Sequence, residues 1–335
     1  MDKQQAHKAL VYKHKKSAKE HLKDQQIILS MVLIVMSIIV SLINPRFIAL
    51  NNIILIFQQI SIVGVLTMAM AMLMLGGGVD LSLGNMMVLT CCAMSVLISE
   101  NKETGFAGFP VGAAIGIGVV IGLVCGILNG FIIAKTKCSP LVITLGLSGV
   151  YYGIALIITK GRVMSFRMTF EPIRLMRIFG LIPITLVWFL MLVIVTYFLI
   201  NKTKFGRRIV AIGGNEANAR LCGIRVDRYK MAMYAIGGLY CVLAAIIYAS
   251  RLDAVSAASG KGYETAALTG AIIGGITFDG GRGTISGAFL GALFMGVLEN
   301  ALNVLAVDTF IQTVISGIII VAAVVVSNFE QIRRK

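Results

Sequence analysis

The sequence predicts an all-α fold: a polytopic helical membrane protein of about ten transmembrane helices, some of them short or broken. Three observations predict it. Of the 335 residues, 58% are hydrophobic and only 13% are charged, with a mean hydropathy of +0.90. A soluble domain is about 45–50% apolar and about 25% charged, so this chain could not cover a water-facing surface with polar groups. The apolar residues fall in runs long enough to cross a bilayer, and many of the 36 glycines recur inside those runs. Soluble globular, disordered and collagen-like classes are excluded, and little room remains for a water-soluble domain.

In chain order, residues 1–26 form a polar tail carrying Lys3, Lys8, Lys13, Lys15, Lys16, Lys19 and Lys23. The apolar run 27–43 follows. The long charged leader, the lack of a small-residue cleavage site and the Pro45-Arg46 pair behind the run indicate an uncleaved first span, not a signal peptide. Further spans are expected at about 53–75, 86–98, 111–134, 140–158, 181–200, 231–249, 264–276, 284–305 and 309–326. The runs 86–98 and 264–276 are short and bordered by glycine-rich stretches. Half-spanning or broken helices are expected there, tolerated where the freed backbone is buried in protein. The organisation is a basic tail (1–26), a membrane domain (27–327) interrupted by a long polar loop (201–230), and a C-terminal tail (328–335).

The net charge is +15, from 30 basic against 15 acidic residues. In a soluble protein that balance would suggest nucleic acid. Here the cations flank spans, which is the positive-inside pattern, and no nucleic-acid partner is expected. Loop 201–230 carries Lys202, Lys204, Arg207, Arg208, Arg220, Arg225, Arg228 and Lys230 against Glu216 and Asp227, and the chain ends Arg333-Arg334-Lys335. With ten spans this loop and both termini face the cytoplasm, and loop 99–110, with Glu100, Lys102 and Glu103, lies outside. Residues 159–180 break the pattern: they carry Lys160, Arg162, Arg167, Arg174 and Arg177 yet fall on the outer side.

Gly118, Gly122, Gly126 and Gly130 repeat every four residues, as do Gly283, Gly287 and Gly291. On a helix this spacing aligns the missing side chains, so two backbones can approach closely. These glycines are expected to pack helices. Cys91, Cys92, Cys125 and Cys241 lie in apolar runs as small packing residues, and none of the six cysteines (Cys138 and Cys222 complete the set) makes a Cys-x-x-Cys pair, so a zinc site is not expected. His7, His14 and His21 all lie in the tail, on a solvated face. No nucleophile–base set and no metal cluster can be assembled, which sets aside a membrane enzyme.

Loop 201–230 is not linker-like. Asn215 is a good N-cap, Glu216 and Ala217 suit a first turn, and Gly223 suits the position just past a C-terminus. About two turns of helix fit between them, too few to persist alone in water. They are expected to expose Arg220 beside the small residues Ala217 and Ala219, either as a knob in a partner's groove or lying on anionic lipid.

Gly213-Gly214-Asn215-Glu216-Ala217 with Ala219-Arg220 and Gly223-Ile224 resembles the cytoplasmic loop of ABC importer permeases of the ribose/galactose class. Gln58-Gln59 after Asn51-Asn52, followed by Gly78-Val79-Asp80-Leu81-Ser82-Leu83-Gly84, looks like that family's signature near the second and third spans. Gly274-Gly275, then Gly280-Gly281-Arg282-Gly283-Thr284 and Gly287, is similar to its C-terminal signature, and Leu302-Asn303 also fits. The resemblance covers residues 27–327. It implies the transmembrane subunit of a sugar importer in a bacterial inner membrane. It also implies a cytoplasmic ATPase dimer, an extracytoplasmic sugar-binding protein and a second permease copy or paralogue. Nothing in the chain resembles Gly-x-x-x-x-Gly-Lys-Ser/Thr. No cofactor is therefore expected here, and ATP and magnesium belong to the partner ATPase.

Three positions depart from the family pattern: Thr265-Ala266 stands where Leu-Asp is usual after Tyr-Glu, Glu299-Asn300 where Asn-Asn is common, and Asn218 where a small residue is usual. They point to a cargo other than ribose or to a diverged subunit that pairs with a paralogue. Polar side chains in apolar runs are functional candidates by default: Gln58, Gln59, Asp80, Glu264, Glu299, Asn300 and Asn303. Amides suit a route for a neutral polyol. Asp80 reads either as a cap on the third span, with Ser82, or as a sugar contact. Asn300 and Asn303 either line the route or bond between helices, and Trp188 packs. Nucleosides on the same scaffold, or an ion-driven transporter without ATPase, are the alternatives.

Overall fold

A computed structural model describes residues 25–98, 108–136 and 138–332. The tail lysines and histidines, Glu100, Lys102, Glu103 and Arg333-Arg334-Lys335 lie outside the described residues. The helices, in order, are α1 (Gln25–Ile43), α2 (Leu50–Leu75), α3 (Leu83–Ile98), α4 (Val111–Thr136), α5 (Pro140–Thr159), α6 (Glu171–Leu175), α7 (Ile184–Lys202), α8 (Lys204–Gly214), α9 (Glu216–Leu221), α10 (Val226–Leu252), α11 (Tyr263–Ile273), α12 (Ile285–Val304) and α13 (Thr309–Ile332). Four two-residue strands, β1 (Met164–Ser165), β2 (Arg177–Ile178), β3 (Ile182–Pro183) and β4 (Ala254–Val255), form the antiparallel pairs β1–β4 and β2–β3.

Each expected span has its helix, and among the described residues seven helices are long and apolar enough to cross a membrane. Helix α11 has 11 residues. At about 1.5 Å per residue it covers roughly half of a hydrocarbon core about 30 Å thick. The chain between α2 and α3 is unwound from Gly76 to Ser82, with Gly77 at φ +74°. Gly76 and Gly78–Asp80 of the first interruption are buried, as are Gly274, Ile276 and Gly280 after α11.

Helix α2 is the hub. In its most apolar window 83% of the residues are buried, against 11% for α1. Helices α7, α10, α11 and α12 surround it. Helix α1 runs alongside α12, tied at both ends: Gln26 Nε2 donates to Thr284 Oγ1 (2.9 Å) and Asn44 Nδ2 to the Val304 carbonyl (2.9 Å). The outer faces of α1, α5, α7 and α13 present Ile, Leu, Val and Phe side chains, a surface suited to lipid or to another membrane subunit.

Glycine sets the closest contacts. Gly118 lies against Thr90 of α3, while Gly122, Gly126 and Gly130 lie against Gly238, Tyr234 and Met231 of α10. A Cβ at Gly238 would stand 2.0 Å from the Gly122 carbonyl oxygen. Gly287 and Gly291 press α12 onto Gly274 and Gly270 of the α11 region. Gly283 does not join this stripe. Thr284 caps α12, its hydroxyl accepting from Gly287 N–H at 3.1 Å, so Gly283 precedes the helix and turns the chain at φ +130°. A four-residue spacing had counted a loop residue as helical because the capping threonine lies one residue further on.

Loop 201–230 is largely helix. Helix α8 buries Gly206, Ile209 and Ile212, an amphipathic period hidden in the sequence by Lys204, Arg207 and Arg208. Thr203 caps it, accepting from Gly206 N–H at 3.2 Å. Helix α7 separates α8–α9 from residues 160–183, so these two segments occupy opposite ends of the bundle.

Candidate functional site

The small helix α9 is built as a foot. Asn215 Oδ1 accepts the Asn218 N–H at 2.9 Å, and Gly223 follows the helix at φ +78°. Glu216 accepts from Arg220 (2.9 Å) and from Lys230 of α10 (2.6 Å), and Arg220 also pairs with Asp227 (2.7 Å). Burial raises the Glu216 pKa, but the bonds from Lys230 and Arg220 outweigh it and hold the carboxyl below the usual glutamate range. The ion pairs fasten α9 to the first turn of α10. Ala219 faces inward, packed with Ile212 and Val226, and is not part of the exposed surface the sequence suggests. Its small size lets α9 lie flat on α8 and α10. The outward face is Ala217, Asn218, Arg220, Cys222 and Leu221, which is 86% exposed.

Above the foot, three stretches of bare backbone meet. A Cβ at Gly213 would lie 2.1 Å from the Leu75 carbonyl oxygen, 2.7 Å from Gly281 N and 2.9 Å from Gly77 N. A Cβ at Gly280 would lie 2.7 Å from Gly77 Cα, and Gly281 N–H donates to the Leu75 carbonyl at 3.0 Å. The α8–α9 junction, the end of α2 and the turn after α11 therefore share one joint. Gly214 differs: nothing approaches within 4 Å of its Cβ position.

Asp80 sits in the break between α2 and α3 and is buried. Its Oδ1 accepts from Ser82 N–H (2.8 Å) and Ser82 hydroxyl (2.6 Å), and its Oδ2 accepts from Asn129 Nδ2 of α4 (2.9 Å). Tyr151 of α5 donates to Asn129 Oδ1 (2.6 Å), and Tyr234 of α10 donates to the Val79 carbonyl (3.0 Å). This geometry is that of a cap and a tie between helices. Asn129, Tyr151 and Tyr234 were missed by sequence reasoning, although Asn129 is an amide in an apolar run.

The other polar candidates lie further along α2, α11 and α12. Gln59 donates to Glu299 Oε2 at 2.6 Å, and Gln58 beside it is buried. Asn300 exchanges amide bonds with Asn52 of α2 (2.9 and 3.1 Å), an interhelical pair. Asn303 accepts from Gln312 of α13 at 3.0 Å. Glu264, in the first turn of α11, accepts from Gly262 N–H at 3.2 Å, while its buried Oε2 has no hydrogen-bond partner among the described residues. That oxygen occupies the space a side chain at Gly84 would fill, with 2.3 Å to the Cβ position. The starts of α3 and α11 thus meet inside the bundle. Glu299 and Glu264 stay on separate contacts, so the candidates do not converge on one pocket.

A helical bundle with two interrupted spans, polar groups inside and a separate foot at one end defines a multi-pass membrane transport subunit. The chain belongs to the family described as "Branched-chain amino acid transport system / permease component", which residues 52–324 match. It is similar to the ribose import permease protein of Bacillus subtilis (strain 168), 37% identical over 299 residues covering 88% of this chain and 90% of that one. It is also similar to the D-allose transport system permease protein of Escherichia coli (strain K12), 33% identical with 87% of each chain covered. The L-arabinose transport system permease protein of the same strain is 34% identical, with 86% of this chain and 85% of that one covered. No solved structure matches the chain significantly.

Proposed function

We propose that the chain is the transmembrane subunit of an ATP-driven importer, forming the route for a monosaccharide delivered by an extracytoplasmic binding protein. The observation that carries the reading is the near full-length likeness to permeases named for ribose, allose and arabinose, at 33–37% identity. The family description names branched-chain amino acids. Amide groups such as those of Gln58 and Gln59 suit a neutral polyol better than a zwitterion.

On this reading the α8–α9 end is cytoplasmic, both termini lie on that side, and a second copy or paralogue completes the route in the bacterial inner membrane. Uphill transport needs an energy source, and ATP with its magnesium ion is bound and hydrolysed by the partner ATPase. Leu221 and its exposed neighbours are the surface that partner grips. Movement of α9 passes through the joint at Gly213 to the end of α2 and the turn after α11 together, shifting the spans between two packings.

The test is uptake in proteoliposomes holding the permease, the ATPase and the binding protein, with labelled ribose, allose, arabinose and leucine. ATP-dependent accumulation of a monosaccharide is expected, and the double variant Glu216→Ala with Arg220→Ala uncouples hydrolysis from uptake. Accumulation by the permease alone, or driven by an ion gradient without ATP, overturns the reading. Accumulation of leucine instead overturns only the cargo.

A further inference from the structure

At the end of the bundle opposite the foot, beside the β1–β4 pair, lies a cavity of about 150 Å³ lined by Glu171, Arg174, Ser250, Arg251 and Asp253 among others. Its rim is fixed: Asp253 accepts from Met168 N–H at 2.8 Å and from the Ser165 hydroxyl at 3.2 Å, and Glu171 pairs with Arg174 at 2.7 Å. Arg251 belongs to the cavity and to a second group of side chains within the bundle. Its charge acts on Glu299 of α12 and on Tyr263 at the start of α11, and Glu299 and Tyr263 act on each other. Both partners are held in turn. Gln59 of α2 donates to Glu299 Oε2 at 2.6 Å, and the Tyr263 ring stands edge-on to that of Tyr248, centroids 6.2 Å apart.

Arg251, Tyr263 and Glu299 thus come from three helices and lie close enough to feel one another electrostatically, yet among the described residues no hydrogen bond joins any two of them. Nor are they sealed in. Among the described residues the buried side-chain polar atoms without a partner are Thr185 Oγ1 and Glu264 Oε2. The Arg251 guanidinium, the Tyr263 hydroxyl and the second Glu299 oxygen are not among them and make no hydrogen bond there, so each reaches space that water can enter.

The chemistry of that space selects its guest. A guanidinium only donates and a carboxylate only accepts. An anion would meet Glu299, a cation would meet Arg251, and an apolar group would leave both unpaired. A hydroxyl accepts from the one and donates to the other, and the Tyr263 hydroxyl can do either. A zwitterion could set one charge against each group, but the rest of the guest must fit the adjoining cavity. There Glu171, Arg174, Ser250 and Asp253 suit further hydroxyls and not an aliphatic chain, while Met168 and Leu252 offer an apolar patch for the C–H face of a ring. About 150 Å³ is room for a six-membered ring.

We infer that Arg251, Tyr263 and Glu299 bind a hydroxyl edge of a neutral monosaccharide whose ring fills the adjoining cavity. The inference rests on the importer reading and names where this chain itself holds the cargo. Through Gln59 the site is tied to α2, the helix whose other end enters the joint above the foot.

The experiment is protection from labelling. Leu252→Cys, on the cavity wall and 47% exposed, is made in the full chain together with Cys138→Ala and Cys222→Ala, the remaining cysteines being buried. The purified protein in nanodiscs reacts with a maleimide in the presence and absence of D-ribose, D-allose, L-arabinose or leucine. At least one of the sugars slows labelling at least fivefold, and leucine leaves it unchanged. Tyr263→Phe, which removes one oxygen and keeps the ring, and Arg251→Met each abolish the protection at an unchanged melting temperature; where the arginine variant melts early, Tyr263→Phe decides. Reconstituted with the ATPase and the binding protein, the Tyr263→Phe chain takes up the protecting sugar at least tenfold more slowly. No protection by any of the sugars although the wild-type assembly accumulates one, protection that survives Tyr263→Phe, or protection by leucine alone overturns the site and leaves the ATP-driven reading intact. Wild-type uptake that needs no ATP overturns that reading whatever the labelling shows.

Discussion

Gly213→Ala is the substitution that most directly tests the joint above the foot. The added methyl would stand 2.1 Å from the Leu75 carbonyl oxygen, 2.7 Å from Gly281 N and 2.9 Å from Gly77 N. All three are backbone atoms, so no side chain can swing aside. Overpacking of this kind costs about 1–3 kcal/mol. Separating the segments also breaks the Gly281 N–H bond to the Leu75 carbonyl (3.0 Å), worth about 0.5–1.5 kcal/mol net. Together they give about 2–4 kcal/mol against the closed joint, and each 1.4 kcal/mol is about tenfold. Uptake by the reconstituted assembly should fall more than about tenfold while ATP hydrolysis continues. Gly214→Ala is the matched control, because its Cβ position is open for 4 Å; it should transport like the wild type. Melting curves in detergent confirm that both variants are folded. Equal behaviour of the two alanines, or full coupling in Gly213→Ala, would refute the idea that motion passes through this contact.

Asp80→Ala strips the acceptors from Ser82 and Asn129; a loss of about 1.5–3 kcal/mol should appear as a lowered melting temperature in detergent. Leu221→Asp should leave melting unchanged, since the side chain is 86% exposed, but should cut co-purification of the ATPase at least tenfold, within the range of a lost hot spot. The Glu216 pKa is lowered in the folded chain, so its contribution is fully present above about 4.5 and is lost as pH falls below that value. Proteolytic protection of residues 203–225 should weaken through that acid range in the wild type, and Glu216→Gln should show a smaller step, the remainder coming from the Asp227–Arg220 pair, whose carboxyl is also held low.

The spans were legible because hydropathy needs only composition and length, and even the short α11 announced itself by its glycine borders. The caps at Asn215 and Gly223 were legible because their chemistry is local. What escaped depends on three-dimensional neighbours. Helix α8 was hidden because its buried face is only Gly206, Ile209 and Ile212 among cations. Ala219 was given the wrong side because a six-residue helix carries too little period to orient. The joint brings Gly77 against Gly213 and Gly280, both more than a hundred positions further along the chain, and the glycines alone gave no hint of which met which. Asn300 could be assigned to an interhelical pair only once Asn52 was seen opposite it.

The two interruptions differ in how they are held, and the difference says where the bundle can yield. On the Asp80 side the α2–α3 break is locked by three hydrogen bonds to a carboxylate and by hydroxyls from Tyr151 and Tyr234. These bonds tie the break to α4, α5 and α10. On the Gly77 side Gly77, Gly213 and Gly280 meet backbone on backbone beside the Gly281 N–H bond to the Leu75 carbonyl, while Ile209 of α8 and Met233 of α10 pack against Gly76. Gly77, at φ +74°, supplies the backbone freedom at this point. A push delivered at α9 would therefore reach α10 through the Lys230–Glu216 and Arg220–Asp227 pairs and, through Gly213, the end of α2 and the turn at Gly280 together.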